Sequence, residues 1–115
     1  MPRDSERLID MLTAANGVRS RVQKASRETF DADEDLQIIL THLIENIGEP
    51  ARNVSAEFRE AHTHIPWADI IGMRHRLIHD YTNIDLEQVW GTAVEDIPAL
   101  ISMIEPLVPP EEPAP

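Results

Sequence analysis

The sequence predicts an all-α fold, an up-and-down bundle of four main helices with one short extra helix. Three observations carry this. Apolar residues recur at three- and four-residue steps through most of the chain. The stretches between these patterns are short, which makes successive helices antiparallel neighbours. Four glycines and 4% aromatic residues argue against a β-sandwich.

In the first helix Leu8, Met11, Ala15, Val18, Val22 and Ala25 form one stripe, and Asp4 or Ser5 is the expected cap. Ser26, Arg27, Glu28, Thr29 and Phe30 make the short extra turn, with Asp31 or Asp33 capping the next helix. The second long stripe runs through Leu36, Leu40, Leu43, Ile47, Ala51, Val54, Phe58 and Ala61. Pro50 lies within it and removes one intrahelical bond, so a kink near Gly48 is expected. Residues 62–66 connect, because Ile65 before Pro66 is driven out of helical geometry. A third helix, dense in apolar residues, is expected over 67–81. Thr82, Asn83, Ile84 and Asp85 then turn the chain, with Asp85 as the next cap. Leu86, Trp90, Ala93, Ile97, Leu100, Ile104 and Leu107 mark the last helix, with Pro98 as its point of kinking or breakage. Residues 1–107 read as the helical domain and 108–115 as a disordered proline-rich tail.

With 115 residues the chain is one domain. Ten basic and 21 acidic residues give a net charge of −11, which excludes a polybasic nucleic-acid binder acting by bulk attraction. An apolar content of 42% is enough for a core and excludes a disordered acidic tail protein. The lack of cysteine excludes a disulfide scaffold and any thiolate metal site. No apolar run reaches membrane-spanning length and the start MPRDSERL is polar, so no membrane partner is expected and a cytoplasmic location is. The charge is uneven: residues 1–28 sum to +2, while 85–115 hold seven acids and no base.

The third helix holds the densest group of potential catalysts. On an ideal helix Arg74 falls within an arc of Trp67, Ile70, Ile71, Met73, Leu77, Ile78 and Tyr81. A guanidinium there must be paired with a carboxylate of a neighbouring helix or must line a cavity. His79 falls about 140° away, sharing its face with Ala68, Gly72 and His75, a groove of small residues. Histidine is the side chain that both gives and takes a proton near neutral pH.

Arg74, His79 and Tyr81, spaced Arg-x4-His-x-Tyr, resemble the signature of HEPN-domain ribonucleases, specifically the HepT-like toxins. The likeness extends to Ile65-Pro66-Trp67-Ala68-Asp69-Ile70-Ile71-Gly72-Met73-Arg74, to Leu77-Ile78-His79-Asp80-Tyr81, to Asp85-Leu86 with Val89-Trp90, and to Asn46-Ile47-Gly48-Glu49. It covers residues 5 to about 107. His75 stands where the family often has Asn, and Pro50 interrupts the family's Gly-Glu-Ala run.

The resemblance implies a HEPN-like bundle acting as a homodimer. It implies a metal-independent endoribonuclease toxin with no cofactor, whose Arg and His line a composite cleft. Arg74 would hold the RNA phosphate, His79 would be the general acid or base, and His75 and Arg76 are further candidates for substrate binding. Tyr81 would be the residue to which an MntA-like nucleotidyltransferase antitoxin attaches AMP. Two rival readings accompany this one. His75 and His79, four apart on a helix, could chelate a metal with help from His62 and His64, although no Glu-x-x-His pattern is present. A catalytically silent HEPN-like module that binds a nucleotidyltransferase keeps the fold and loses the cleavage.

Overall fold

A computed structural model describes residues 2–80 and 83–108, the side chains of Pro2, His79 and Asp80 excepted. The architecture is a helical bundle with one short hairpin. α1 (Pro2–Val22) is followed by α2 (Arg27–Asp31), α3 (Glu34–Arg52), α4 (Ala56–Ala61), α5 (Trp67–Ile71) and α6 (Met73–Leu77). A hairpin of β1 (Ile78–Asp80) and β2 (Asn83–Ile84) comes next, then α7 (Leu86–Gly91), a π-helical turn (Thr92–Asp96) and α8 (Ile97–Ile104) with a closing 3-10 turn (Glu105–Leu107). No helix among the described residues is long and apolar enough to cross a membrane. The proposed tail lies outside the described residues except Val108, which packs against the core.

α1 and α3 form the spine of the bundle and run antiparallel: Asp4 meets Ser55, while Gly17 lies against Leu43. Leu8, Met11, Ala15 and Val18 of α1 are buried as their spacing requires, against Leu40, Ile44, Ile47 and Ala51 of α3. Ile97, Leu100, Ile101 and Ile104 of α8 complete this core. Phe30 is fully buried from α2, its ring 5.1 Å from that of Trp90. Ser26 caps α2 in a reciprocal box with Thr29, and Asp33 and Asp85 cap α3 and α7 through the N–H groups of Leu36 and Gln88.

Three sequence expectations change. α1 begins at Pro2, so Asp4 and Ser5 lie inside the helix and do not cap it. Asp4 instead accepts hydrogen bonds from the Ser55 N–H (2.9 Å) and hydroxyl (2.7 Å). That contact also divides the second stripe. The Ser55 N–H is spent on Asp4 rather than on a helical carbonyl, α3 stops at Arg52, and the Ser55 hydroxyl starts α4 by accepting the Phe58 N–H. The last helix is interrupted beside Pro98, as its position suggested. Pro98 has no N–H to give, and the turn ahead of it widens so that the Ile97 N–H reaches the Thr92 carbonyl, five residues back.

The third helix departs most. It breaks at Gly72 and ends at Leu77, and the chain continues as a strand. The Leu77 carbonyl accepts the Asp85 N–H at 2.7 Å, closing the base of the hairpin. Ile78 and Ile84 stand opposite one another, a β-branched pair that suits a pleated surface better than a helix.

Candidate functional site

The site is built on a close approach of α3 to α5. A Cβ at Gly48 would stand 3.2 Å from the Ile70 carbonyl oxygen and 3.4 Å from that of Ile71, so the absence of a side chain is what lets the backbones meet. Glu45 lies one turn earlier on the same face of α3. Because the helices are antiparallel, that turn faces the start of α6, and Glu45 Oε2 stands 3.4 Å from Arg74 Nε.

α6 is held by Met73 and Leu77, four residues apart and both buried. Arg74, His75 and Arg76, between those anchors, are exposed. Arg74 is therefore not embedded in an apolar arc: its side chain is 55% exposed, and among the described residues Glu45 is its ion-pair partner. The arc assumed one continuous helix, and the break at Gly72 re-aims α6.

Arg76 points elsewhere. It lies about 200° around the helix from Arg74. It borders a groove of about 150 Å³ shared with Asp69, Met73, Asp96, Leu100 and Met103. The structure thus separates Arg76 from the Arg74–Glu45 pair, with His75 exposed between them.

His79 stands beyond the helix, in β1, so the 140° offset from Arg74 no longer applies. Ile78 pairs with Ile84 and Asp80 with Asn83, so two steps along β1 match one along β2, and His79 is the extra residue of that bulge. Bulges re-aim the strand that carries them and are common beside active sites. Tyr81 lies outside the described residues. A helical His75–His79 chelate loses its basis where α6 ends. His62 is engaged by its own helix: Nδ1 is 2.9 Å from the Phe58 carbonyl, and the ring stacks on Phe58 at 4.1 Å. Among the described residues no three His, Asp or Glu side chains converge as a metal site.

Sequence reasoning missed Glu45. Its signal was present, since it directly precedes the Asn46-Ile47-Gly48-Glu49 run and lies three residues from the glycine that sets the α3–α5 approach. It also missed Arg59 on α4, whose Nε is buried.

Comparison with known proteins bears on the whole arrangement. A family model described as "Ribonuclease HepT-like" matches residues 11–107. The "Putative RNase" of Caldanaerobacter subterraneus subsp. tengcongensis is 36% identical over 92 residues, 80% of this chain and 82% of the relative. The "Probable ribonuclease HepT" of Thermococcus cleftensis is 33% identical over 100 residues, 87% of this chain and 91% of the relative. A "Putative RNase" of Methanocaldococcus jannaschii is 31% identical over 98 residues, 85% and 90% of the two chains. No solved structure matches significantly. With the Arg-x4-His-x-Tyr run inside the matched segment, the chain belongs to the HepT-like ribonuclease family.

Proposed function

We propose that the protein is an endoribonuclease of the toxin type that cleaves RNA without a metal, using Arg74 and His79. The observation that carries the reading is family membership together with an exposed Arg74 whose described partner is a single, partly exposed carboxylate. The RNA 2′-hydroxyl oxygen attacks the adjacent phosphorus. The bond from phosphorus to the 5′-oxygen breaks, leaving a 2′,3′-cyclic phosphate on one fragment and a 5′-hydroxyl on the other. His79 moves the proton at the attacking or the leaving oxygen. Arg74 exchanges Glu45 for the phosphate and stabilises charge on its non-bridging oxygens. DNA, lacking the 2′-hydroxyl, is spared.

The active unit is a homodimer in which the two Arg–His sets line one cleft. Exposed Ile38 (50%) and Ile39 (40%) on α3 support a surface that a second copy covers. A nucleotidyltransferase antitoxin silences the enzyme by transferring AMP to the Tyr81 hydroxyl, adding bulk and negative charge beside an anionic substrate.

The purified protein is expected to cut RNA in EDTA, and Arg74→Ala or His79→Ala to abolish the cut with the fold retained. Activity lost in EDTA and restored by zinc would favour the metal reading, and no cleavage by unmodified protein would favour the silent module. After co-expression with the nucleotidyltransferase, intact mass spectrometry should show added AMP on the wild type and none on Tyr81→Phe. AMP still gained by that variant removes Tyr81 from the scheme.

A further inference from the structure

The small-residue face of α5 is one wall of a groove of about 600 Å³ whose other wall is α4. Ala68, Ile71 and Gly72 line it from one side, and Arg59, Glu60 and Thr63 from the other. The floor is open at Gly72, where a Cβ would meet only the Ala68 carbonyl oxygen within 4 Å. Arg59 stands out in it. Its Nε is buried, and among the described residues nothing accepts a hydrogen bond from it. In a chain of net charge −11, Arg59 also has no ion-pair partner among the described residues. That Nε has no accessible surface, so a ligand in the groove would be met by the rest of the guanidinium, whose charge no described carboxylate balances.

The missing counter-charge has a definable chemistry. A guanidinium fork matches the oxygens of a phosphate, and the Thr63 hydroxyl adds a neutral donor. The exposed Glu60 carboxylate on the same groove disfavours a free anion. A phosphate that belongs to a strand anchored elsewhere meets that repulsion with help from its other contacts. The groove ends at Gly72, two residues before Arg74 in sequence.

We infer that the α4–α5 groove holds a backbone phosphate of the RNA strand away from the linkage being cut, with Arg59 as its donor. The inference rests on the ribonuclease reading for the identity of the strand. Arg59 positions substrate and takes no part in the proton transfers.

The test is binding of a non-cleavable 2′-O-methyl RNA oligonucleotide to the full chain over a salt series. Arg59→Gln should weaken binding about tenfold. It should also flatten the dependence of log affinity on log salt by about 0.7, the share of one phosphate contact on a single strand. Ala68→Glu, at an exposed site with Arg59 intact, should weaken binding at least as much. Arg52→Gln removes the same charge outside the groove and should stay within about twofold of wild type. Unchanged affinity in Arg59→Gln or Ala68→Glu, or weaker binding with an unchanged salt slope, overturns the groove. Arg59-dependent binding by a wild type that leaves ordinary RNA uncut supports the groove and overturns the ribonuclease reading.

Discussion

Two carboxylates, each reaching from one helix to a partner on another segment, mark two regions of the molecule, its frame and its candidate site. Asp4 is 7% exposed and accepts both the N–H and the hydroxyl of Ser55, across 51 positions of sequence. The Glu45 side chain is 31% exposed and meets Arg74 at 3.4 Å. The first contact is dry, short and made to groups with fixed directions. The second is long, wet and made to a flexible cation. A frame needs the first kind, since a buried acceptor locks the register of α1 against the α3–α4 junction. The proposed exchange of a protein carboxylate for a phosphate needs the second, because a tight buried pair would not release its guanidinium.

The widest split between the two regions is expected in catalysis. Arg74→Ala and His79→Ala should each lower kcat for RNA cleavage by about 10²- to 10⁴-fold. Arg74 is 55% exposed, so its removal should move stability by no more than about 0.5 kcal/mol. Cleavage assays paired with thermal melts read both quantities. An Arg74→Ala protein that melts far below wild type would show that the site also bears the frame's load.

Asp4→Ala should do the reverse and cost about 1–2 kcal/mol, because it leaves the half-buried N–H and hydroxyl of Ser55 without their acceptor. Cleavage per folded molecule should stay at the wild-type rate. The contact should also be pH-dependent. Hydrogen bonds from Ser55, its backbone N–H first, hold the Asp4 carboxyl below the ordinary carboxylate value, against the opposing pull of burial. A group whose folded pKa is depressed stabilises fully above its unfolded pKa and loses that contribution as pH falls through the folded one. Denaturant melts should therefore show the gap between wild type and Asp4→Ala constant near neutrality and closing below about pH 4. A gap that persists in acid would mean that packing, and not the ionised carboxylate, holds that contact.

The frame was legible in the sequence and the candidate site much less so. Leu8, Met11, Ala15 and Val18 are buried where a period of 3.6 puts them, since local geometry alone aligns such a stripe. Asp85 and Asp33, the latter one of two candidates, were readable as caps because capping is settled within three residues. The helix boundary at Leu77 was not readable. It depends on the Leu77 carbonyl finding the Asp85 N–H eight residues on, a closure that periodicity does not carry. The division at Ser55 has the same character, because the group that ends α3 is Asp4, from the other end of the chain. Arg74 and His79 became candidates through the resemblance of the Arg-x4-His-x-Tyr run to a known family. Their setting, one exposed on a short helix and the other in a strand bulge, required the fold.

Glu45→Gln is the smallest expected change and the sharpest probe of the comparison. An exposed ion pair contributes about 0–1 kcal/mol, and 3.4 Å is long for a strong charged hydrogen bond. Stability should therefore shift by no more than about 0.5 kcal/mol, and less at high salt. If Glu45 and the RNA phosphate compete for the same guanidinium, removing the carboxylate lowers KM about two- to threefold with kcat unchanged, a gain of the size such a pair is worth. The alternative is that Glu45 holds Arg74 in its working orientation, and then the same variant lowers kcat and leaves KM near wild type. The sign of that split, read from steady-state cleavage of a defined RNA, decides whether the site carboxylate is a placeholder for substrate or, like Asp4 in the frame, a fixed support.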